Sequence, residues 1–162
     1  MAEGFNERKL PTARAERYRE VAAEIASVLE GEPNLTARMA TVASMLASSF
    51  DHYFWTGFYV VDGEELVVGP YQGTLGCLRI AFGRGVCGTA AATRQTQVVD
   101  DVHAFPGHIA CDARSKSEVA VPVFDKAGRL IAVFDVDSDR PAAFDETDVR
   151  WLEAILGDTF AR

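Results

Sequence analysis

The chain has 162 residues, 48% of them apolar, and a formal net charge of -8, which predicts one domain able to bury its own core. Its acidity disfavours nucleic acid as a partner, because negative charge repels the phosphate backbone. No apolar run approaches the ~20 residues that cross a bilayer, and the N-terminal segment lacks the apolar stretch of a secretory signal, so we expect a cytoplasmic protein that contacts no membrane.

Two amphipathic helices are predicted first. Residues 1–10 are expected to be frayed, and an apolar stripe over residues 18–29 predicts a first helix that Gly31 ends. Asn34 is a good N-cap for a second helix, whose apolar stripe reaches Phe50. Both stripes are typical of helix faces that pack on a core.

Strands and hairpins are predicted for most of the remaining chain. Residues 54–62 are aromatic and β-branched, and Asp62-Gly63 is a turn that leads into a partner strand at residues 65–70. The residues from 100 to 116 have no periodicity and are predicted to form a long loop. The other predicted elements are an apolar piece at 78–82, a short helix at 88–94, strands at 97–99, 118–124 and 130–136, and a final helix at 144–160.

This order of elements predicts an α+β fold. Hairpin-linked strands with helices at both ends are typical of a central antiparallel sheet that carries its helices on one face. The long loop would then cover the other face. Because long connections are where binding and catalysis usually lie, we expect the active site on the face that this loop covers.

All three cysteines, Cys77, Cys87 and Cys111, lie in the loop-rich stretch 73–118. So small and odd a number argues against a structural disulfide framework. None of the spacings is Cys-x-x-Cys, which excludes a zinc-ribbon pattern.

A metal site is the first alternative to thiol chemistry in this stretch. His103, His108, Cys111 and nearby aspartates are irregularly spaced and mixed in softness, so no metal is expected. The further alternative for each cysteine is that it is a small buried hydrophobe. Three thiols in one loop-rich stretch favour chemistry over that alternative.

Local physics distinguishes two of the thiols. Cys87 comes just before the predicted short helix, and a helix N-terminus lowers a thiol pKa, so Cys87 is predicted to be the most acidic thiol. Cys111 has cationic neighbours, but Asp112 opposes them. Cys111 lies on the long loop, where a substrate can be covered.

Carboxylates and aromatic residues form a second set of candidates. Glu118 opens a strand directly after the long loop. Asp135 and Asp137 are two residues apart in an apolar strand and therefore face the same side. Burying them is costly unless they are paired, either with a ligand ammonium or with an Arg or Lys of the chain. Trp55 and Tyr59 share a face of the first strand and form either a pocket wall or part of the core.

Together these residues resemble a known family. The architecture resembles a GAF domain, and GRGVCGTAAATRQTQVVDDVHAFPGHIACDARSKSEVAVPV is similar to the free methionine-(R)-sulfoxide reductases, which are stand-alone GAF enzymes. The spacing of the three cysteines, the Ser-Glu pair before the Ala-Val-Pro-Val strand and the Asp-x-Asp strand carry the resemblance. It extends over residues 54–160 and implies a single GAF domain over residues 1–162.

The resemblance implies an oxidoreductase that acts on free methionine-R-sulfoxide without a cofactor. Cys111 would attack the sulfoxide sulfur and become a sulfenic acid. This assignment differs from the pKa prediction above, which favours Cys87 as the reactive thiol. In the family pattern, Cys87 would be an auxiliary thiol. Cys77 would then condense with Cys111 into a disulfide that thioredoxin reduces. Glu118 is the first candidate for the proton donor to the sulfoxide oxygen.

The remaining candidates are expected to bind the substrate. Asp135 and Asp137 would bind its ammonium group, which explains why peptide-bound sulfoxide is excluded. Trp55 and Tyr59 would pack on its S-methyl group.

Two other functions stay open from the sequence. One is a ligand-binding GAF sensor, although the Asn-Lys signature of cyclic-nucleotide GAF domains is absent. The other is a thiol redox sensor that forms a disulfide without turnover. The pair bonded at rest stays open among Cys77–Cys111, Cys77–Cys87 and Cys87–Cys111, and a homodimer is the assembly considered beside the monomer.

Overall fold

A computed structural model describes residues 9–108 and 111–162. The expected fraying of residues 1–10 falls mostly on residues 1–8, which lie outside the described residues, as do residues 109–110 of the predicted long loop. The elements are α1 (Arg14–Val28), α2 (Leu35–Ala47), β1 (Trp55–Asp62), β2 (Glu65–Gln72), β3 (Arg79–Ala81), α3 (Gly85–Thr93), β4 (Gln97–Val99), a 3-10 helix (Val102–Ala104), β5 (Ser117–Phe124), β6 (Leu130–Ser138) and α4 (Glu146–Phe160).

The six strands form one sheet in the order β3-β2-β1-β6-β5-β4, and every neighbouring pair is antiparallel. The predicted α+β fold with a central antiparallel sheet is confirmed. Strand β6 joins the half of the sheet formed by β1, β2 and β3 to the half formed by β4 and β5, because it pairs with β1 on one side and with β5 on the other. None of the helices found between residues 9 and 162 is both long and apolar enough to cross a membrane.

The helices α1, α2 and α4 pack on one face of the sheet. Their buried residues meet Phe58 and Phe134 of the central strands in one apolar cluster. The Asn34 side chain accepts a hydrogen bond from the Ala37 N–H at 2.9 Å, so it caps α2 as predicted. Asp145 caps α4 in a capping box with the residue three positions on.

The short helix α3 lies on the opposite face, against β5 and β6. It begins at Gly85, three residues earlier than predicted, so that Cys87 belongs to its first turn. Gly88 lets the helix approach β3 closely, because a Cβ at this position would lie 2.5 Å from the Ala81 carbonyl oxygen. This face of the sheet therefore carries one helix as well as the long loop.

A buried polar network connects α1 to the start of α4. Asp148 is 0% exposed. Its carboxylate accepts hydrogen bonds from the Tyr18 hydroxyl at 2.6 Å, from His52 Nε2 at 3.0 Å and from Arg14 Nη1 at 2.8 Å. It also accepts the Asp145 backbone N–H at 2.9 Å. Four donors on one buried carboxylate tie together segments that lie far apart in the chain.

Candidate active site

The strand register places the candidate residues on one face of the sheet. Asp137 of β6 pairs with Trp55 of β1 on one side and with Glu118 of β5 on the other. Asp135 lies two residues along β6 and therefore points to the same side, as its spacing predicted. Tyr59 follows on the same face of β1. Antiparallel pairing thus brings residues from three separate stretches of the sequence into one patch.

A small cavity lies between this patch, α3 and the loops above it. Its volume is about 40 Å³, which is room for only a few water molecules. All eight candidate residues but one line it, as do several residues that were not predicted. The candidates in its lining are Trp55, Tyr59, Cys87, Cys111, Glu118, Asp135 and Asp137.

A disulfide joins Cys77 and Cys111, whose Cα atoms are 5.5 Å apart. Of the three pairings that the sequence left open, this is the one found. Cys111 is exposed and lines the cavity, whereas Cys77 is partly buried against the apolar cluster beneath it. The disulfide therefore lies at the edge of the cavity and connects the loop that carries Cys77 to the loop that carries Cys111.

Cys87 is the free thiol, and it is buried. Its Sγ donates to Glu118 Oε2 at 3.7 Å. Burial raises the pKa of this thiol well above its usual value, and the charges of Asp135, Glu118 and Asp137 raise it further. The pKa of Cys87 is therefore raised, not lowered as its place at a helix N-terminus predicted. The helix N-terminus does not compensate for the loss of water and the neighbouring carboxylates.

Three carboxyl groups share the floor of the cavity. Burial raises the pKa of Glu118, Asp135 and Asp137 well above the usual range, and each is raised further by a neighbouring carboxylate. Asp135 Oδ1 is buried without a hydrogen-bond partner. Within residues 9–108 and 111–162, none of the ion pairs joins one of these three carboxyl groups to an arginine or a lysine.

The internal salt bridge that the sequence offered as the alternative to a ligand site is therefore absent from the described residues. Like charges held this close favour protonation of at least one member of the group. The cluster can therefore serve in two ways: a protonated member can donate a proton, or an ionised member can pair with the cationic group of a ligand. An unpaired buried oxygen such as Asp135 Oδ1 costs free energy until such a partner arrives.

Aromatic rings form one wall of the cavity. The Trp55 and Tyr59 rings stack with centroids 5.5 Å apart, and the Tyr71 ring of β2 stacks on Trp55 with centroids 5.0 Å apart. Trp55 and Tyr59 also belong to the buried apolar cluster on this face. They are therefore both pocket wall and core, so the two interpretations of the sequence do not exclude each other.

Among the described residues, potential metal ligands come together around Cys87 and not around His103, His108 and Cys111, the ligands that the sequence offered. In the part of the chain that the structure describes, a ligand atom from each of Cys87, Glu118 and Asp135 lies within 4.8 Å of the others. His103 instead contacts the Asp101 carboxylate at 3.2 Å on the exposed loop.

The chain is similar to known proteins over most of its length. A model of the GAF domain family matches residues 32–159. The chain is 48% identical over 145 residues to GAF domain-containing protein A of Dictyostelium discoideum, which covers 89% of this chain and 90% of that protein. It is 38% identical over 143 residues to the free methionine-R-sulfoxide reductase of Escherichia coli strain K12, with 88% and 86% covered.

A solved structure agrees with these matches. The free methionine-R-sulfoxide reductase from Neisseria meningitidis in complex with its substrate is 47% identical and superposes with a TM-score of 0.88, covering 92% of this chain and 89% of that chain. The chain belongs to the free methionine-R-sulfoxide reductase family of GAF domain proteins. The family resemblance inferred from the cysteine spacing and the carboxylate strand is confirmed.

Three further residues lie at the cavity of this free methionine-R-sulfoxide reductase family member and are not predicted by the sequence pattern. Arg84 and Ser115 line the cavity, and Tyr71 supports its aromatic wall. Arg84 is the N-cap residue of α3, in a Gly-Arg-Gly run whose second glycine begins the helix. Tyr71 lies at the far end of a hairpin, and nothing in the sequence pattern shows that its ring reaches Trp55.

Proposed function

We propose that this chain reduces free methionine-R-sulfoxide to methionine, with Cys111 as the nucleophile and Cys77 as the resolving thiol. The observation that carries the proposal is the Cys77–Cys111 disulfide at the rim of a cavity floored by carboxyl groups. The Cys111 thiol takes the sulfoxide oxygen, releases methionine and becomes a sulfenic acid. Cys77 then attacks that sulfur, water leaves and the disulfide forms.

The contrast between the thiols supports Cys111 as the nucleophile. The reacting species is the thiolate, and Cys87 is held as a thiol by burial and by its carboxylate neighbours. Cys111 is on the exposed loop at the cavity rim, where a sulfoxide sulfur bound below can be reached. Cys87 is then an auxiliary thiol that hydrogen-bonds Glu118.

Glu118 is proposed as the proton donor. As the S–O bond breaks, the sulfoxide oxygen takes up a proton, and an acid of raised pKa keeps that proton available at higher pH. Glu118 is buried next to two other carboxyl groups that raise its pKa. It also faces the cavity, so it lies on the side where the substrate would bind.

A thioredoxin-type dithiol protein is proposed as the reductant. The disulfide lies between exposed apolar side chains, since Leu75 is 77% and Leu78 is 71% exposed on either side of Cys77. Apolar surface beside a disulfide suits a protein reductant, which has to place its own thiolate in line with one sulfur.

A thioredoxin-coupled assay of NADPH consumption tests the reaction. We expect turnover of free methionine-R-sulfoxide but not of the S epimer, and a loss of at least about 10³-fold in Cys111→Ser, which removes the covalent route. Cys87→Ser is expected to keep measurable turnover. Activity that survives in Cys111→Ser but is lost in Cys87→Ser would contradict the assignment of the nucleophile. Absence of turnover with both epimers would leave a redox-sensing GAF module.

Asp137→Asn is expected to raise KM for free methionine-R-sulfoxide by about 30-fold or more, because it removes one charge of a buried pair with the substrate ammonium, typically ~2 kcal/mol or more. Steady-state kinetics measure the change. Asp158→Asn is the matched control, since Asp158 is an exposed aspartate of α4 that pairs with Arg162 near the end of the chain. An unchanged KM in Asp137→Asn would show that the ammonium binds elsewhere.

A further inference from the structure

The loop that carries Cys77 and the loop that carries Cys111 meet at a second contact beside the disulfide. Thr74 Oγ1 donates to Asp112 Oδ2 at 2.7 Å. Thr74 lies three residues before Cys77, and Asp112 directly follows Cys111. The two loops therefore also meet through a hydrogen bond that does not depend on the bond between the sulfur atoms.

Both ends of this contact are anchored to the sheet. On one side, the Thr74 carbonyl accepts a hydrogen bond from Trp55 Nε1 at 2.9 Å. On the other, Arg114 donates to Asp112 through Nη2 at 2.8 Å, through Nε at 3.1 Å and through its backbone N–H at 2.9 Å. The Arg114 guanidinium in turn lies 4.9 Å from the ring centroid of Phe54, directly before β1.

The charge on Asp112 is secured by the same contacts. The hydrogen bonds from Arg114 lower the pKa of Asp112 below its usual range. The carboxylate is therefore ionised and able to accept from Thr74 throughout the neutral pH range. Its charge is also matched by Arg114, so it opposes ionisation of the adjacent Cys111 thiol less than a free carboxylate would.

We propose that the Thr74–Asp112–Arg114 contact, called the clasp, holds the Cys111 loop against the Cys77 loop when the disulfide is reduced. This inference rests on the proposed function. The Cys111 sulfenic acid then meets the Cys77 thiol before it meets a second oxidant. The Cys77 sulfur attacks the Cys111 sulfur, the S–O bond breaks, and the oxygen leaves as water with the thiol proton.

The clasp matters because the two cysteines are 34 residues apart in the chain. Without a local contact, the resolving thiol has to find the sulfenic acid by motion of both loops, which lowers its effective concentration. With the clasp, Cys77 lies three residues from Thr74 and Cys111 lies next to Asp112, so both thiols stay close to the Thr74–Asp112 hydrogen bond. Thr74, Asp112 and Arg114 are thus positioning residues, which act through Cys77 and Cys111.

The test is Thr74→Val, which keeps the shape of the side chain and removes the hydroxyl donor, with Thr74→Ser as the matched control that keeps it. Fully reduced enzyme is mixed with methionine-R-sulfoxide in a single turnover. Samples are quenched with an alkylating reagent, and methionine, disulfide and oxidised Cys111 are measured over time. A parallel series adds hydrogen peroxide as the second oxidant.

We expect methionine to form at the wild-type rate within about twofold in both variants. Disulfide formation slows by about tenfold in Thr74→Val alone, as expected for loss of effective concentration. Added peroxide then yields more Cys111 sulfinic acid in Thr74→Val than in the wild type or Thr74→Ser. This split between the first and second steps is one that a general loss of structure would not produce.

Disulfide formation at the wild-type rate in Thr74→Val would overturn the clasp and leave the proposed function intact. Equal slowing of methionine release and disulfide formation would also overturn it, because the residue would then serve the first step. If the wild type releases no methionine, the proposed function fails. The clasp is then judged by disulfide formation with hydrogen peroxide as the only oxidant, in the same variants.

Discussion

Replacing Glu118 by glutamine is expected to lower kcat for free methionine-R-sulfoxide by about 10²- to 10⁴-fold, the usual contribution of a general acid. Glutamine keeps the shape of the side chain and its place on β5 but cannot release a proton to the sulfoxide oxygen. Single-turnover formation of methionine measures the reductive step separately from recycling of the disulfide. An unchanged rate of methionine formation would exclude Glu118 as the acid.

The pH dependence of the same step gives a second readout. The acid acts in its protonated form, and burial followed by the charge of Asp135 raises the Glu118 pKa. The rate is therefore retained well above the usual pKa of a carboxyl group and falls only as pH rises through the raised value. In Glu118→Gln this falling limb disappears from the profile. Glu153→Gln, at an exposed position on α4, is the control and keeps the wild-type profile.

Asp148→Asn is expected to lower the free energy of unfolding by about 1–3 kcal/mol, the usual cost of leaving a buried hydrogen-bond donor without its acceptor. The change removes the negative charge that faces Arg14 and leaves buried donors, including the Tyr18 hydroxyl, with a poorer acceptor. Urea unfolding at neutral pH measures the loss. Glu146→Gln, an exposed acid in the same first turn of α4, should change stability by less than about 0.5 kcal/mol.

The same carboxylate predicts how the wild type responds to acid. Burial alone would raise the Asp148 pKa, but hydrogen bonds from His52, Tyr18 and the Asp145 backbone lower it to about 2. A depressed pKa stabilises the fold above the unfolded value near 3.8, and this contribution is lost as pH falls toward 2. Asp148→Asn should lack that step, and an unfolding curve that keeps it would assign the step to another acid.

The elements with strong local patterns could be predicted from the sequence. The Asn34 cap, the Asp62-Gly63 hairpin and the apolar stripes of α1, α2 and α4 each depend on neighbours within a few residues. The start of α3 could not. Gly85 begins that helix with a φ of 64°, a conformation that no local pattern of apolar residues predicts.

The candidate site divides in the same way. Residue type and spacing were enough to select the cysteines and the three carboxyl groups. The raised pKa of Cys87 depends on its burial and on the strand register that brings Asp135 and Glu118 to its sulfur. Likewise, the Thr74–Asp112 contact joins residues 38 positions apart, and the Asp148 network joins residues up to 134 positions apart. Both depend on the tertiary fold, so no local sequence pattern predicts them.

The small volume of the cavity in the disulfide form has a kinetic consequence. About 40 Å³ admits a few waters but not an amino acid. Under the proposed function, the sulfoxide thus binds to the dithiol form of the enzyme, and the reductant binds to the disulfide form. The sulfoxide and the reductant therefore bind to different redox forms of the enzyme and do not compete with each other. This is a ping-pong cycle whose order is imposed by one crosslink at the mouth of the cavity.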